Sequence, residues 1–185
     1  MARLTKGDKS QVPQGQETSF DEIVETLGSI PEFGPGSILI HVPELSKRAT
    51  ALNRYLRYES AVPKKIQEFT MILTARHMDC QYIWNAHAPP ARAAGLKDEI
   101  VDGLRDNSDL MGLSPDESAV VNYGREFFRT HRVSQQNFDT ALKLFGRNGL
   151  TELTTLLGCY AMLAFNVNAF GAELPDDHVE LELPV

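Results

Sequence analysis

Two cysteines are all that the 185 residues contain, Cys80 and Cys159, and they stand far apart. That excludes a disulfide-stapled scaffold. A basic surplus is also missing: 18 Lys and Arg face 25 Asp and Glu, the formal net charge is −7, and the pI is about 5.2. A general nucleic-acid binder would carry the opposite sign, so no nucleic-acid partner is expected. An anionic membrane surface is disfavoured for the same reason. A small anionic substrate is not, because one or two local arginines can hold a carboxylate. No apolar run reaches the roughly 20 residues that span a bilayer. Residues 1–18 are polar and lack an apolar signal core, so the cytoplasm is the expected compartment. The glycines are scattered and form no phosphate loop. His77, Cys80 and His87 do not have zinc-ligand spacing, and neither metal nor cofactor is expected.

What is present is an ordinary globular composition, 42% hydrophobic and 23% charged, in a chain long enough for one domain with a real core. Three segments are expected: a flexible arm over 1–18, a single helical domain over 19–172, and an acidic tail over 173–185. The tail holds Asp176, Asp177, Glu180 and Glu182 without Lys or Arg. It should be solvated or dock on a basic patch of a partner. Ser19 reads as the cap of a short helix over 20–27, with Glu22 at the capping-box position. The apolar run over 37–42 fits either a short strand or a docking turn.

From Pro43 onward the pattern is helical. Leu45, Ala49, Leu52 and Leu56 mark one helix. Pro63 opens the next, whose apolar stripe is Ile66, Phe69, Ile72 and Leu73. Asp79 is placed to cap the helix carrying Cys80 to His87, which Pro89 and Pro90 should interrupt, and Gly95 is a helix stop. Ser114-Pro115-Asp116-Glu117 is a strong start signal, Ser134 opens another helix, and the apolar run 150–170 reads as the central buried helix. No strand–helix alternation appears, so the expected class is all-α.

The stretch from Glu68 to His87 holds the chemistry. Cys80, Trp84 and His87 stand at i, i+4 and i+7, positions that share one face of a helix. A thiol and an imidazole on one stripe can enter one pocket. An antiparallel neighbour would bring Glu68 to it, giving a proton-handling constellation. The plainer alternatives are a small buried hydrophobe at Cys80, a satisfied structural histidine at His87 and a helix-bracing pair of Glu68 with Arg76 or His87. Tyr82 and Trp84 would then be core aromatics, and Cys159 packing.

The run from Val62 to Leu96 also resembles the core motif of the carboxymuconolactone decarboxylase superfamily, which includes the alkylhydroperoxidase D-like proteins. The peroxidase branch has Glu, then Cys-x-x-Cys, then His four residues on. Glu68, Cys80 and His87 fit that spacing, while Ile83 stands at the second Cys position. Other members carry Tyr-Glu-Trp before the His; here the residues are Tyr82-Ile83-Trp84. Ala91 to Leu96 resembles the motif's exit.

The resemblance implies a helical bundle of about seven helices that forms a homo-oligomer, whether dimer, trimer or hexamer. It keeps three functions open. One is a cofactor-free acid–base enzyme, of decarboxylase or lyase type, acting on a small organic acid or lactone. In it His87 would be the acid/base, Glu68 its orienter, and Arg76 or Arg92 a carboxylate anchor, with Trp84, Tyr82 and Ile83 around the substrate. Another is a thiol peroxidase acting on a hydroperoxide through Cys80, with His87 and Glu68 assisting. The third is an oligomeric binding protein without catalysis. With Ile83 in place of a resolving cysteine, a disulfide cycle would require Cys159 to come within about 7 Å of Cys80 between Cα atoms.

Overall fold

The computed structural model describes residues 3–185; Met1 and Ala2 of the expected arm lie outside them. Among the described residues there are eight α-helices, one short 3-10 helix (Lys9–Gln11) and no strands. The helices are α1 (Glu17–Leu27), α2 (Gly34–Leu39), α3 (Pro43–Tyr58), α4 (Lys64–His77), α5 (Gln81–Ala93), α6 (Asp98–Arg105), α7 (Pro115–Thr130) and α8 (Gln135–Phe170). The run over 37–42 is therefore no strand: its first half ends α2 and residues 40–42 turn into α3.

The central helix is α4 and not the apolar run 150–170. Every residue from Ile66 to Arg76 is buried, packed among α5, α6, α7 and α8. Its threonines and Gln67 hide this in the sequence because they donate locally. Thr70 and Thr74 donate their hydroxyls to the carbonyls four residues back, at 2.7 and 2.8 Å, and Gln67 donates to the Val62 carbonyl at 2.8 Å. A hydrogen-bonded hydroxyl or amide costs little to bury. By length and apolar composition α8 is capable of crossing a membrane. It breaks at Gly146, however, whose φ of 66° and ψ of 179° leave the helical region. Its second half lays one side on α4 while Phe165, Gly158 and Asn168 face outward, as in the core helix of a soluble domain.

Local signals decide most of the boundaries. Ser114 and Glu117 form the expected capping box with Pro115 at the first turn, and Ser134 accepts from the Asn137 amide. Ser19 behaves differently. Helix α1 begins at Glu17, and the Ser19 hydroxyl donates to Glu44 on α3. Asp79 does not cap α5 either: it takes a positive φ of 46°, pairs with Arg76, and leaves Cys80 as the N-cap. Pro89 and Pro90 do not interrupt α5, which runs through them to Ala93. The two carbonyls that lose their donors belong to Asn85, which is half-buried, and Ala86, which is exposed.

Both ends of the described residues are tied down. The Arg3 amide donates to the Phe170 carbonyl at 2.9 Å, and Lys9 pairs with Asp21 at 2.6 Å. The tail does not wait for a partner; it folds back onto its own α5. Gln81 and the Leu183 backbone exchange two hydrogen bonds of 2.8 Å, and Glu180 meets Arg92 at 2.9 Å. Trp84 Nε1 donates to the Leu181 carbonyl at 3.1 Å, and Leu183 is buried. Of the tail's acidic residues, Glu180 docks on this chain's own Arg92, while Asp176, Asp177 and Glu182 are exposed to solvent.

Candidate active site

Helices α4 and α5 form an antiparallel hairpin closed by Met78, Asp79 and Cys80. Glu68 and His87 lie on the two facing helices of that hairpin, on opposite sides of the turn. The His87 Nδ1 and Glu68 Oε2 atoms are 2.7 Å apart. Lys64, one turn before Glu68, brings its Nζ to 2.6 Å from Oε1. On the far side of the imidazole the Tyr160 hydroxyl, from α8, lies 3.2 Å from Nε2, its ring edge-on to the histidine. A chain of four polar groups thus runs Lys64–Glu68–His87–Tyr160.

Electrostatics sets the protons along this chain. Burial opposes ionisation of Glu68, but His87 and Lys64 outweigh it and hold the carboxyl below its ordinary value. Burial also works on His87. It depresses the imidazole pKa despite the neighbouring carboxylate, and the charges of Arg57 and Lys64 push the same way. At neutral pH the pair is therefore a carboxylate and a neutral imidazole. The carboxylate accepts the Nδ1 proton, which leaves Nε2 as a lone pair accepting from Tyr160. Burial raises the Tyr160 phenol to about 12, so it stays a donor.

His87 and Tyr160 open onto a cavity of about 280 Å³ walled by α2, α3, α5 and α8. Of the residues singled out in the sequence, Tyr82 and Ile83 line this cavity with His87, while Glu68 sits behind the histidine. Cys80, Trp84 and Arg76 are elsewhere. Cys80 is wholly buried beside the hairpin turn, and Trp84 is wholly buried beneath the tail. The expected common stripe fails because Cys80 is the N-cap, with extended φ and ψ, so helical spacing does not count from it. Arg76 is taken by Asp79, and Arg92 by Glu180, Asp98 and Asp102. Neither guanidinium is free to anchor a substrate.

Tyr160, Arg57, Asn53 and Lys64 were missed as site residues. Lys64 was legible, since Lys64 and Glu68 stand one turn apart on a helix. A tyrosine in an apolar helix and an arginine near a helix C-terminus carry no such signal.

Three comparisons with known proteins bear on this arrangement. No family model matches the chain. No curated protein matches it either. Solved structures do. The alkylhydroperoxidase AhpD core of an uncharacterized peroxidase-related protein from Ralstonia eutropha JMP134 superposes with a TM-score of 0.73 at 15% identity, covering 96% of this chain and 94% of that one. The chain has the alkylhydroperoxidase D-like fold. An uncharacterized peroxidase-related protein from Silicibacter sp. TM1040 shares this fold with a TM-score of 0.72 at 16% identity, over 96% and 93% of the two chains. So does the debrominase Bmp8, solved with 2,3,4-tribromopyrrole, with a TM-score of 0.63 at 12% identity over 95% of each chain. The alkylhydroperoxidase D-like neighbours agree with the resemblance seen around Glu68 and His87. One such fold thus includes peroxidase-related proteins and a dehalogenating enzyme.

Within this alkylhydroperoxidase D-like bundle the cysteines are poorly placed for redox work. Both are free and buried, and burial raises both thiols, Cys80 to about 11 even against the pull of the Ile83 and Tyr82 amides. The thiolate is the reactive form. Mild peroxide treatment should therefore give no Cys80–Cys159 disulfide, as read by mass spectrometry of unreduced peptides. A peptide pair linked through these two residues would overturn that expectation.

Proposed function

We propose that the protein is a cofactor-free acid–base enzyme of decarboxylase or lyase type, acting on a small organic acid or lactone. The observation that carries this reading is His87 held by Glu68 at 2.7 Å and facing a half-open cavity. A substrate entering the cavity takes the place of the Tyr160 hydroxyl at Nε2. As the bond from hydrogen to the carbon beside a carbonyl breaks, the proton passes to Nε2 and the electron pair moves onto the carbonyl oxygen as an enolate. Glu68 stabilises the imidazolium so formed. In the decarboxylating direction carbon dioxide leaves first, and the proton then moves the other way, onto carbon. The cytoplasmic location expected from the sequence, and the homo-oligomeric assembly implied by the resemblance, belong to the same proposal. A thiol peroxidase centred on Cys80 is less well supported, because its thiol is buried, mostly protonated, and outside the cavity.

Hydrogen–deuterium exchange at carbon tests the reading. Small keto acids and lactones are incubated with the protein in heavy water, and loss of the C–H signal is followed by NMR. Exchange should be flat from about pH 7 to 9, since His87 is already neutral there, and should fall on acidification below its ordinary value near 6.5. A protein-dependent rate that instead climbs about tenfold per pH unit toward 11, and that Cys80→Ser removes, would assign the activity to the Cys80 thiolate. No exchange on any member of the panel would remove the acid–base assignment.

A further inference from the structure

We infer that the cavity beside His87 takes a small monocarboxylate and that Arg57 is the group that binds its anionic end. This deepens the acid–base reading of the same cavity and rests on it. The cationic groups nearest the site are mostly spoken for: Lys64 by Glu68, Lys65 by Glu117, Arg76 by Asp79 and Arg92 by three carboxylates. Arg57 is different. Its guanidinium carbon lies 5.3 Å from the centre of the Tyr58 ring, and it has no carboxylate partner among the described residues. Its Nε is buried without a hydrogen-bond partner, as is that of Arg76, but only Arg57 of the two lines the cavity. A buried N–H left in that state is costly unless something supplies the acceptor.

Its surroundings indicate what that acceptor is. Arg57 lines the cavity with His87 and Tyr160, and its charge is felt at both. No Asp or Glu lines the cavity; the polar groups beside Arg57 are the uncharged Asn53, Thr50 and Ser46. Glu68 is already balanced by Lys64 behind the histidine. The cavity thus carries one unanswered positive charge, which matches one negative charge on a ligand. A carboxylate offers two acceptors to the planar guanidinium fork. Leu39, Ile83 and Leu163 then surround an apolar body, and 280 Å³ lies near the small end of ligand cavities. With its carboxylate on Arg57, the substrate would be oriented toward His87 and Tyr160.

The test separates binding from turnover. Calorimetric titration with benzoate, its neutral counterpart benzamide, and a panel of other small aliphatic and aromatic carboxylates is run on the wild type, Arg57→Gln and Arg57→Lys. Arg129→Gln, in a separate groove, serves as control. Arg57→Gln should weaken carboxylate binding about 10–100-fold and leave benzamide unchanged. Arg57→Lys should keep part of the affinity, having the charge but not the fork, and it stands in should the glutamine variant fail to fold. Equal carboxylate affinity in wild type and both Arg57 variants overturns the inference. So does the absence of any carboxylate binding tighter than about 10 mM. Arg57-dependent binding without carbon exchange would leave this inference standing and sink the acid–base reading. Exchange that proceeds equally well in Arg57→Gln would do the reverse.

Discussion

His87→Gln is expected to lower kcat/KM on a true substrate about 10²–10⁴-fold, the usual worth of a positioned acid or base. Glutamine retains hydrogen-bonding capacity toward Glu68 and Tyr160 but cannot take up a proton at neutral pH. The loss should therefore fall on kcat more than on KM. Cys80→Ser should cost less than about tenfold, a small change in barrier. The hydroxyl can meet the same Tyr82 and Ile83 amides at the start of α5, and the residue does not reach the cavity. Thiol peroxidase chemistry predicts the opposite ranking, with turnover abolished in Cys80→Ser. Both variants are to be measured against organic acids, lactones and hydroperoxides. If neither changes any detectable rate, a non-catalytic binding protein becomes the best remaining account.

Trp84→Ala should cost about 3–5 kcal/mol of stability, the range for removing a fully buried large aromatic. Trp84 is completely shielded, packed under the returning tail, and its indole N–H holds the Leu181 carbonyl. Truncation would leave a void and free that carbonyl together. For a chain of this size the melting temperature should drop by roughly 10 °C. Trp84→Phe keeps most of the volume and loses the hydrogen bond, so about 1–2 kcal/mol is expected. Thermal and urea unfolding measure both. A pocket-wall role for Trp84 predicts a different pattern, in which stability holds and substrate affinity falls.

The same two residues show where reading the sequence succeeds and where it stops. Glu68 and His87 were legible as a pair because a short turn between two helical segments leaves few geometries, and an antiparallel hairpin sets them face to face. Capping at Ser114 and Ser134 was legible because it is settled within one turn of chain. Cys80 was misplaced by a local detail. One residue in positive φ, Asp79, shifts the helix start and takes Cys80 off the stripe. Trp84 shares the buried face of α5 with Ile83 and His87, where spacing alone does not separate a cavity wall from core. The central position of α4 was hidden by threonines and a glutamine that bond to their own helix or its entrance.

The sequence by itself determined the all-helical class, most helix starts and the proximity of Glu68 to His87. These depend on contacts within one turn or one hairpin. Only the tertiary structure decided which groups complete the site. Tyr160 reaches His87 from α8, Arg57 and Asn53 from α3, and the tail returns from the far end of the chain to cover Trp84. Each of those meetings depends on how helices distant in sequence stack, and that is set by the shape of the whole core and not by any local pattern.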